Sequence, residues 1–402
     1  MLNATQEREL AYVVIIDDIE PIEGYDRVEH AIVGGWRIIV QKGQFKVGDP
    51  AIYFEIDSRV PADRECFAFL EKRHYKVKTL KMCKTLSQGL LMHPHDFGWS
   101  ADSIGVFDGE TWHHVDDESR FLTKKLGVTY ADDEDNSRKA SSVDKYKKME
   151  MRHRKLFKNP IIHWFMRYKF GRKVKFFFFG NKKDKKNGWP SWVQKTDEER
   201  VQNMPWILNS TDKWIATEKI DGTSTTFTMK RGKFGKKLFY VCSRNVCFDS
   251  VDKPCYYDTN VYWDMAKKYR IFDALVALMM AHPEEEWITI QGETYGDGVQ
   301  KRNYSIKDHD FAAFNLIFST KGRVSTEDMI YELNHYGVPC VPVVEENIDF
   351  TDKFATMEDM LLWAEGNSKI DGLPREGIVF RTMDGQKSFK AVSNSFLLKY
   401  HG

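Results

Sequence analysis

Residues 11 to 60 read as short apolar, extended runs broken by turn residues, the pattern of strands and turns. Ala11 to Asp17 is apolar and β-branched, and Pro21-Ile22-Glu23-Gly24 marks a turn. His30 to Val40 reads as a second extended stretch, with Gly34-Gly35 as a bulge or tight bend. Val47-Gly48-Asp49 marks another turn, Ala51 to Ile56 a third strand, and Tyr75 to Met92 a hairpin. Short strands at this spacing predict a small five-stranded barrel of the OB type.

The pattern changes twice further on. Residues 98 to 135 lose this strand-and-turn pattern and turn acidic at Asp116-Asp117-Glu118 and Asp132-Asp133-Glu134-Asp135. Residues 138 to 186 then carry eighteen Lys and Arg against three Asp and Glu, while the whole chain is nearly neutral at +1. Such segregated charge marks either a nucleic-acid-facing surface or a solvated linker. Trp164, Phe165, Tyr168 and Phe170, interleaved with Arg167 and Lys169, fit a packed insertion or a stacking surface equally well. Gly188-Trp189-Pro190 closes the segment.

From about residue 192 the texture is mixed. Trp214 to Met229 and Leu238 to Arg244 read as strands. Val261 to Met280 reads as one helix with Met265, Tyr269, Phe272, Val276 and Met279 on its apolar face. Ser325 or Thr326 opens another helix that ends near Gly337. Thr356-x-x-Asp359 resembles a capping box, with Gly366 as a stop. The expected division is 1–97, an OB-like domain; 98–190, an acidic then basic insertion; and 191–402, an α/β domain. A chain of 402 residues with 42% hydrophobic content is long and apolar enough for two cores. The six cysteines form no Cys-x-x-Cys pair, which points to reduced thiols. His93-x-His95 and His113-His114 lack partners at zinc spacing. No apolar run approaches the roughly 20 residues of a membrane span, and the N-terminus has no signal-peptide core. A cytoplasmic location is therefore expected.

The chemistry centres on Thr217-Glu218-Lys219-Ile220-Asp221-Gly222. A lysine becomes a nucleophile only when cations, a metal or desolvation remove its proton. Asp221, two residues along a strand, is expected on the same side as Lys219, and Gly222 would let the backbone approach a ligand closely. Lys-x-Asp-Gly alone is a weak signal, and a surface turn reads the same way. It is followed in order by Ser243-Arg244-Asn245, Gln291-Gly292-Glu293-Thr294-Tyr295-Gly296, Phe311-Ala312-Ala313-Phe314-Asn315, Arg375-Glu376-Gly377-Ile378-Val379-Phe380-Arg381 and Lys387-Ser388-Phe389-Lys390.

In this order the segments resemble the signature of the covalent nucleotidyl transferases: DNA ligases, RNA ligases and mRNA capping enzymes. Gly35-Trp36, Lys46-Val47-Gly48-Asp49, Glu55-Ile56-Asp57-Ser58 and Ser87-Gln88-Gly89-Leu90-Leu91 resemble the N-terminal OB domain of the Naegleria/Deinococcus-type RNA ligases. Thr196 to Asn203 resembles that family's entry into the transferase domain. With the barrel first and the sequence ending soon after the last motif, the resemblance favours this branch over enzymes with a C-terminal OB domain. It implies an α+β protein, an OB-like β-barrel followed by an ATP-grasp-like ligase domain. The implied activity is ATP-dependent joining of 3′-hydroxyl and 5′-phosphate RNA ends. A DNA ligase, a capping guanylyltransferase or an inactive nucleic-acid-binding protein are the alternatives.

By the same resemblance Lys219 would take AMP from ATP. Asp221, Glu293 and Glu376 would gather around Mg²⁺ or Mn²⁺. Arg244 and Arg200 would contact phosphates, Phe314 would stack on adenine, and Lys390 would neutralise the α-phosphate. Glu218 would contact the adenine side, Gly222 would approach the nucleotide, and a monomer is expected. Two positions depart from the family pattern. Arg381 stands where relatives often have lysine, and Lys390 is followed by Ala391-Val392 rather than a second lysine, with Lys387 or Lys399 as substitutes.

Overall fold

The computed structural model describes residues 1, 8–100, 106–107, 112–113, 120–131, 189–248, 257 and 259–401. The basic segment 138–186 and its interleaved aromatics lie outside the described residues, as do both acidic runs.

The N-terminal apolar runs become β1 (Ala11–Ile15), β2 (Asp18–Ile22), β3 (Tyr25–Val33), β4 (Trp36–Gln41), β5 (Pro50–Phe54), β6 (Thr79–Met82), β7 (Thr85–Gln88) and β8 (Leu90–Met92). The stretch His30 to Val40 is two strands, not one. Gly34 and Gly35 have φ of 54° and 81° and form the two-residue turn between β3 and β4. Two successive left-handed residues match the twist of a hairpin, which is why the chain reverses there. The strands form sheets β1-β5-β8 and β2-β3-β4 and the hairpin β6-β7, so among the described residues the module is OB-like without a closed barrel. All five residues of β5 are buried. Tyr53 packs with Tyr12, Trp36 and Ile38 on one side. Phe54 packs with Phe67 and Leu70 of the 3-10 helix Glu65–Arg73 on the other.

The second part is built on β9 (Lys213–Lys219), β10 (Thr223–Arg231), β11 (Lys237–Ser243), β12 (Trp287–Gly296), β13 (His309–Phe318), β14 (Val343–Asp349), β15 (Gly377–Thr382) and β16 (Ser388–Val392). The run Trp214 to Met229 breaks at Ile220-Asp221-Gly222, and its halves enter different sheets. β9 lies in the sheet β14-β9-β15-β16, whereas β10 lies in the sheet β11-β10-β12-β13, extended at its edges by Cys247–Phe248 and Gly322–Arg323.

The single helix expected over Val261 to Met280 is also two: α1 (Val261–Lys268) and α2 (Ile271–Ala281), separated by a left-handed Arg270 with φ 47°. The break resets the helical phase. α2 buries Ile271, Ala274, Leu275 and Leu278 against the larger sheet, while Phe272, expected inward, is 45% exposed. α3 (Thr326–Asn334) begins as expected, with Ser325 accepting the Asp328 N–H. α4 (Met357–Ala364) carries the Thr356–Asp359 capping box.

The two parts touch at named residues. The Gly34-Gly35 turn lies so close to α4 that a Cβ on Gly35 would sit 2.8 Å from Met357. Arg37 pairs with Glu358 at 2.5 Å, and Leu86 of β7 packs with Val392 and Leu397.

Candidate active site

The alternation of β9, β15 and β16 sorts their residues onto two faces. Trp214, Ala216, Ile378, Phe380, Phe389 and Ala391 fill an aromatic-rich core. Thr217, Lys219, Val379, Arg381 and Lys390 point the other way and line a cavity of about 370 Å³. Register places them: Thr217 pairs with Val379, which pairs with Lys390, and Lys219 pairs with Gly377. Glu376, one residue before Gly377, therefore reaches the lysine, with Oε1 2.6 Å from Nζ.

The opposite wall comes from the larger sheet. Glu293 on β12 pairs with Ser224 of β10, and Phe314 projects from β13; all three line the cavity with Arg244 from the end of β11. The crossing between the sheets supplies Asp221 and Gly222. Asp221 does not share a strand with Lys219, since β9 ends at Lys219. Both nonetheless line the cavity, because Tyr304 Oη accepts the Asp221 N–H and pins the crossing. Gly222 is needed for close approach. A Cβ there would meet Thr294 O at 2.3 Å and Glu293 Cγ at 2.9 Å.

Charge inside the cavity is tightly matched. Burial favours neutral Lys219, but Glu376, Glu293 and Asp221 outweigh it and hold the ammonium above its ordinary pKa. Burial, with the like charges of Glu376 and Asp221, pushes Glu293 up to about 8 against the pull of Lys219. Lys390 is lowered to about 8 by burial and by Lys219. Arg381 is lowered to about 10 by burial and donates to Thr217 Oγ1 while pairing with Glu198. Its guanidinium lies 5.9 Å from the Phe314 ring centre. Asp197 pairs with both Arg244 and Lys390.

The expected site residues divide clearly. Lys219, Asp221, Gly222, Arg244, Glu293, Phe314, Glu376, Arg381 and Lys390 converge on one cavity. Glu218 borders it, but alternation turns its side chain away, and Oε2 accepts the Lys369 N–H at 2.8 Å. Arg200 does not line the cavity. Its guanidinium lies 5.8 Å over the Trp36 ring, and burial lowers its pKa. Lys387 is held by Asp212 and Lys399 lies over Tyr400, so neither enters the cavity. The sequence reading missed Asp197 and Glu198 as counter-charges. Their signal was the acidic pair just before Arg200, with partners Arg244, Arg381 and Lys390 lying 47 to 193 positions away in sequence.

Metal binding has a partial fit. Glu376 Oε2 is buried with no hydrogen-bond partner among the described residues, and the carboxylates offer the hard oxygens that Mg²⁺ or Mn²⁺ prefer. Among the described residues, however, no three ligating side chains converge on one point. The carboxylates gather instead around the Lys219 ammonium, a fit for a hydrated ion rather than a closed cage.

An OB-like module joined to a two-sheet domain with a lysine–carboxylate cavity defines the architecture of a nucleotidyltransferase ligase. Residues 212–401 match the family model described as RNA ligase, and residues 10–94 match that of an OB-fold domain. The second domain is thus similar to the RNA ligase family. Solved structures of Naegleria gruberi RNA ligase are similar over nearly the whole chain. One with PPi is 25% identical with TM-score 0.62, covering 98% of this chain and 99% of that one. A mutant with ATP and Mn is 25% identical with TM-score 0.64, covering 98% and 100%. Another with AMP and Mn is 24% identical with TM-score 0.63, covering 98% and 99%. No curated protein matches by sequence. Among the described residues no helix is long and apolar enough to cross a membrane, and Cys66, Cys83 and Cys340 are free thiols.

Proposed function

We propose that the protein is an ATP-dependent RNA ligase that joins 3′-hydroxyl to 5′-phosphate ends, with Lys219 as the nucleophile. The observation that carries this reading is the Lys219–Glu376 contact inside a cavity whose remaining cations, Arg244, Arg381 and Lys390, face it from both sheets. Lys219 Nζ attacks the α-phosphorus of ATP and forms a phosphoramide, and pyrophosphate leaves. The AMP then passes to an RNA 5′-phosphate oxygen, restoring the lysine. A 3′-hydroxyl attacks the activated end, forms the phosphodiester and expels AMP.

The chain's own groups have separable tasks. Glu376 orients Nζ and accepts charge from it. Lys390 and Arg244, now held by Asp197, exchange that partner for phosphate oxygens, where guanidinium offers a bidentate match. Phe314, beneath Arg381, stacks on the base. Asp221, Glu293 and Glu376 would hold a hydrated divalent cation, which when bound lowers the lysine pKa and offsets phosphate charge. The OB-like module, residues 1–97 in our division, and the transferase domain, 191–402, act together on the RNA.

Incubation of the full chain with α-labelled ATP and a divalent metal, without RNA, should give a covalent adduct mapping to Lys219. Adduct formation by Lys219→Ala would overturn the assignment. Labelling by GTP instead of ATP would point to a capping activity.

A further inference from the structure

A cavity of about 560 Å³, larger than the one at the lysine, lies on the OB-like module. It lies between the 3-10 helix Glu65–Arg73, the β6–β7 hairpin and strands β4 and β8. Its floor is apolar, from Leu70, Leu80 and Leu90, and Phe69 and Met82 stand at its edge, 61% and 41% exposed. From Arg64 to Lys84 the chain carries seven Lys and Arg against two Glu. Arg73 and Lys78 line the opening, are exposed, and make no ion pair among the described residues. Asp96 is the one acidic side chain lining it, and its carboxylate is committed to the His93 N–H.

A folded protein that needed these cations only for solubility would not set them around an apolar trough. Unmatched cations beside an exposed phenylalanine suit a ligand with anionic links and flat apolar faces. That is a nucleic-acid strand whose bases are unpaired. A duplex presents phosphates but hides its base faces, so it would leave Phe69 and the floor in water. The hairpin is also tied to the catalytic domain: Lys81 Nζ donates to Leu398 O, eight residues after Lys390, and Leu86 packs on Val392. A strand held in the groove is thereby indexed to the end of the sheet that carries Lys390.

The geometry points to this groove as a binding site for a single-stranded RNA segment beside the ends to be joined, with Phe69 as its stacking platform and Arg73 and Lys78 as phosphate contacts. The inference rests on RNA being the substrate. It assigns to the groove a preference for unpaired strand that the proposed reaction does not require.

The test uses the full chain and a short single-stranded RNA with hydroxyls at both ends, which cannot be sealed, alongside a blunt RNA duplex. Phe69→Ala should weaken single-strand binding roughly five- to a hundredfold, the range of one base–aromatic stack, and leave duplex binding unchanged. Arg73→Ala/Lys78→Ala should lower the slope of log affinity against log salt by about 1.4, near 0.7 per phosphate contact. Arg73→Lys/Lys78→Arg should restore it. Both side chains and Phe69 are exposed, so folding should survive. Unchanged single-strand affinity in both variants, or equal losses on duplex, would overturn the inference. Self-adenylylation, measured on the same preparations, separates this from the proposed function: its absence in the unaltered chain would sink the ligase reading alone.

Discussion

The Lys219 cavity and the groove on the OB-like module are both ringed by cations, yet they treat them in opposite ways. In the cavity every cation has an acid: Lys219 has Glu376, Arg381 has Glu198, and Arg244 and Lys390 share Asp197. In the groove Arg73 and Lys78 have none among the described residues. The difference teaches what each is built for. Matched pairs in a half-buried cavity set protonation states and preorganise charge for chemistry. Unmatched surface cations hold a polyanion by counterion release and need no particular protonation change.

Removing the central pair breaks the contrast most completely. Lys219→Ala should abolish the ATP-dependent adduct, read by labelled-nucleotide transfer, while leaving the RNA affinity of the groove intact. Next comes its partner. Glu376→Gln keeps the shape but not the charge and should slow single-turnover self-adenylylation by about 10²–10³-fold, the scale of one preorganised electrostatic contact.

The pH profile sharpens the same point. The attacking lysine must be neutral, and its carboxylates hold its pKa above the ordinary value, so the adenylylation rate should climb with pH. Lys390 keeps its charge below about 8 and loses it above, because burial and Lys219 disfavour its ammonium. The climb should therefore flatten near pH 8. Lys390→Arg should let it continue, since guanidinium does not titrate in that range. A profile unchanged by Lys390→Arg would remove this lysine from the phosphate site.

The smallest effect is expected at the rim. Asp197 is 56% exposed, so Asp197→Asn should shift the denaturation midpoint by less than about 0.5 kcal/mol of stability. It should still change the nucleotide KM, because Arg244 and Lys390 lose the competitor for their charge.

Much of this site is legible in one dimension because its chemistry requires fixed residue types. Only a lysine, three carboxylates and a few cations in a given order satisfy it, and nine expected residues do meet in one cavity. Arg200 shows the limit. As a motif residue it reads as a phosphate contact, but the fold sets it, half-buried, over Trp36 of the other module, a neighbour 164 positions away in sequence. The helix over 261–280 fails for a similar reason. Its apolar spacing fits one continuous face, and only packing against the sheet selects the break at Arg270 that buries Leu275 and releases Phe272.

By itself the sequence determined the strand-rich start, the α/β second half, the caps at Ser325 and Thr356, and the residue types that meet in the Lys219 cavity. These depend on local alternation, local hydrogen bonds and chemical type. The tertiary structure alone decided that the strand holding Lys219 ends there, that Asp221 and Gly222 cross between two sheets, and that Gly377 lies opposite the lysine so that Glu376 can reach it. Strand partners and register are set by which faces the folded chain buries. Residues 158 positions apart in sequence have no local signal of that choice.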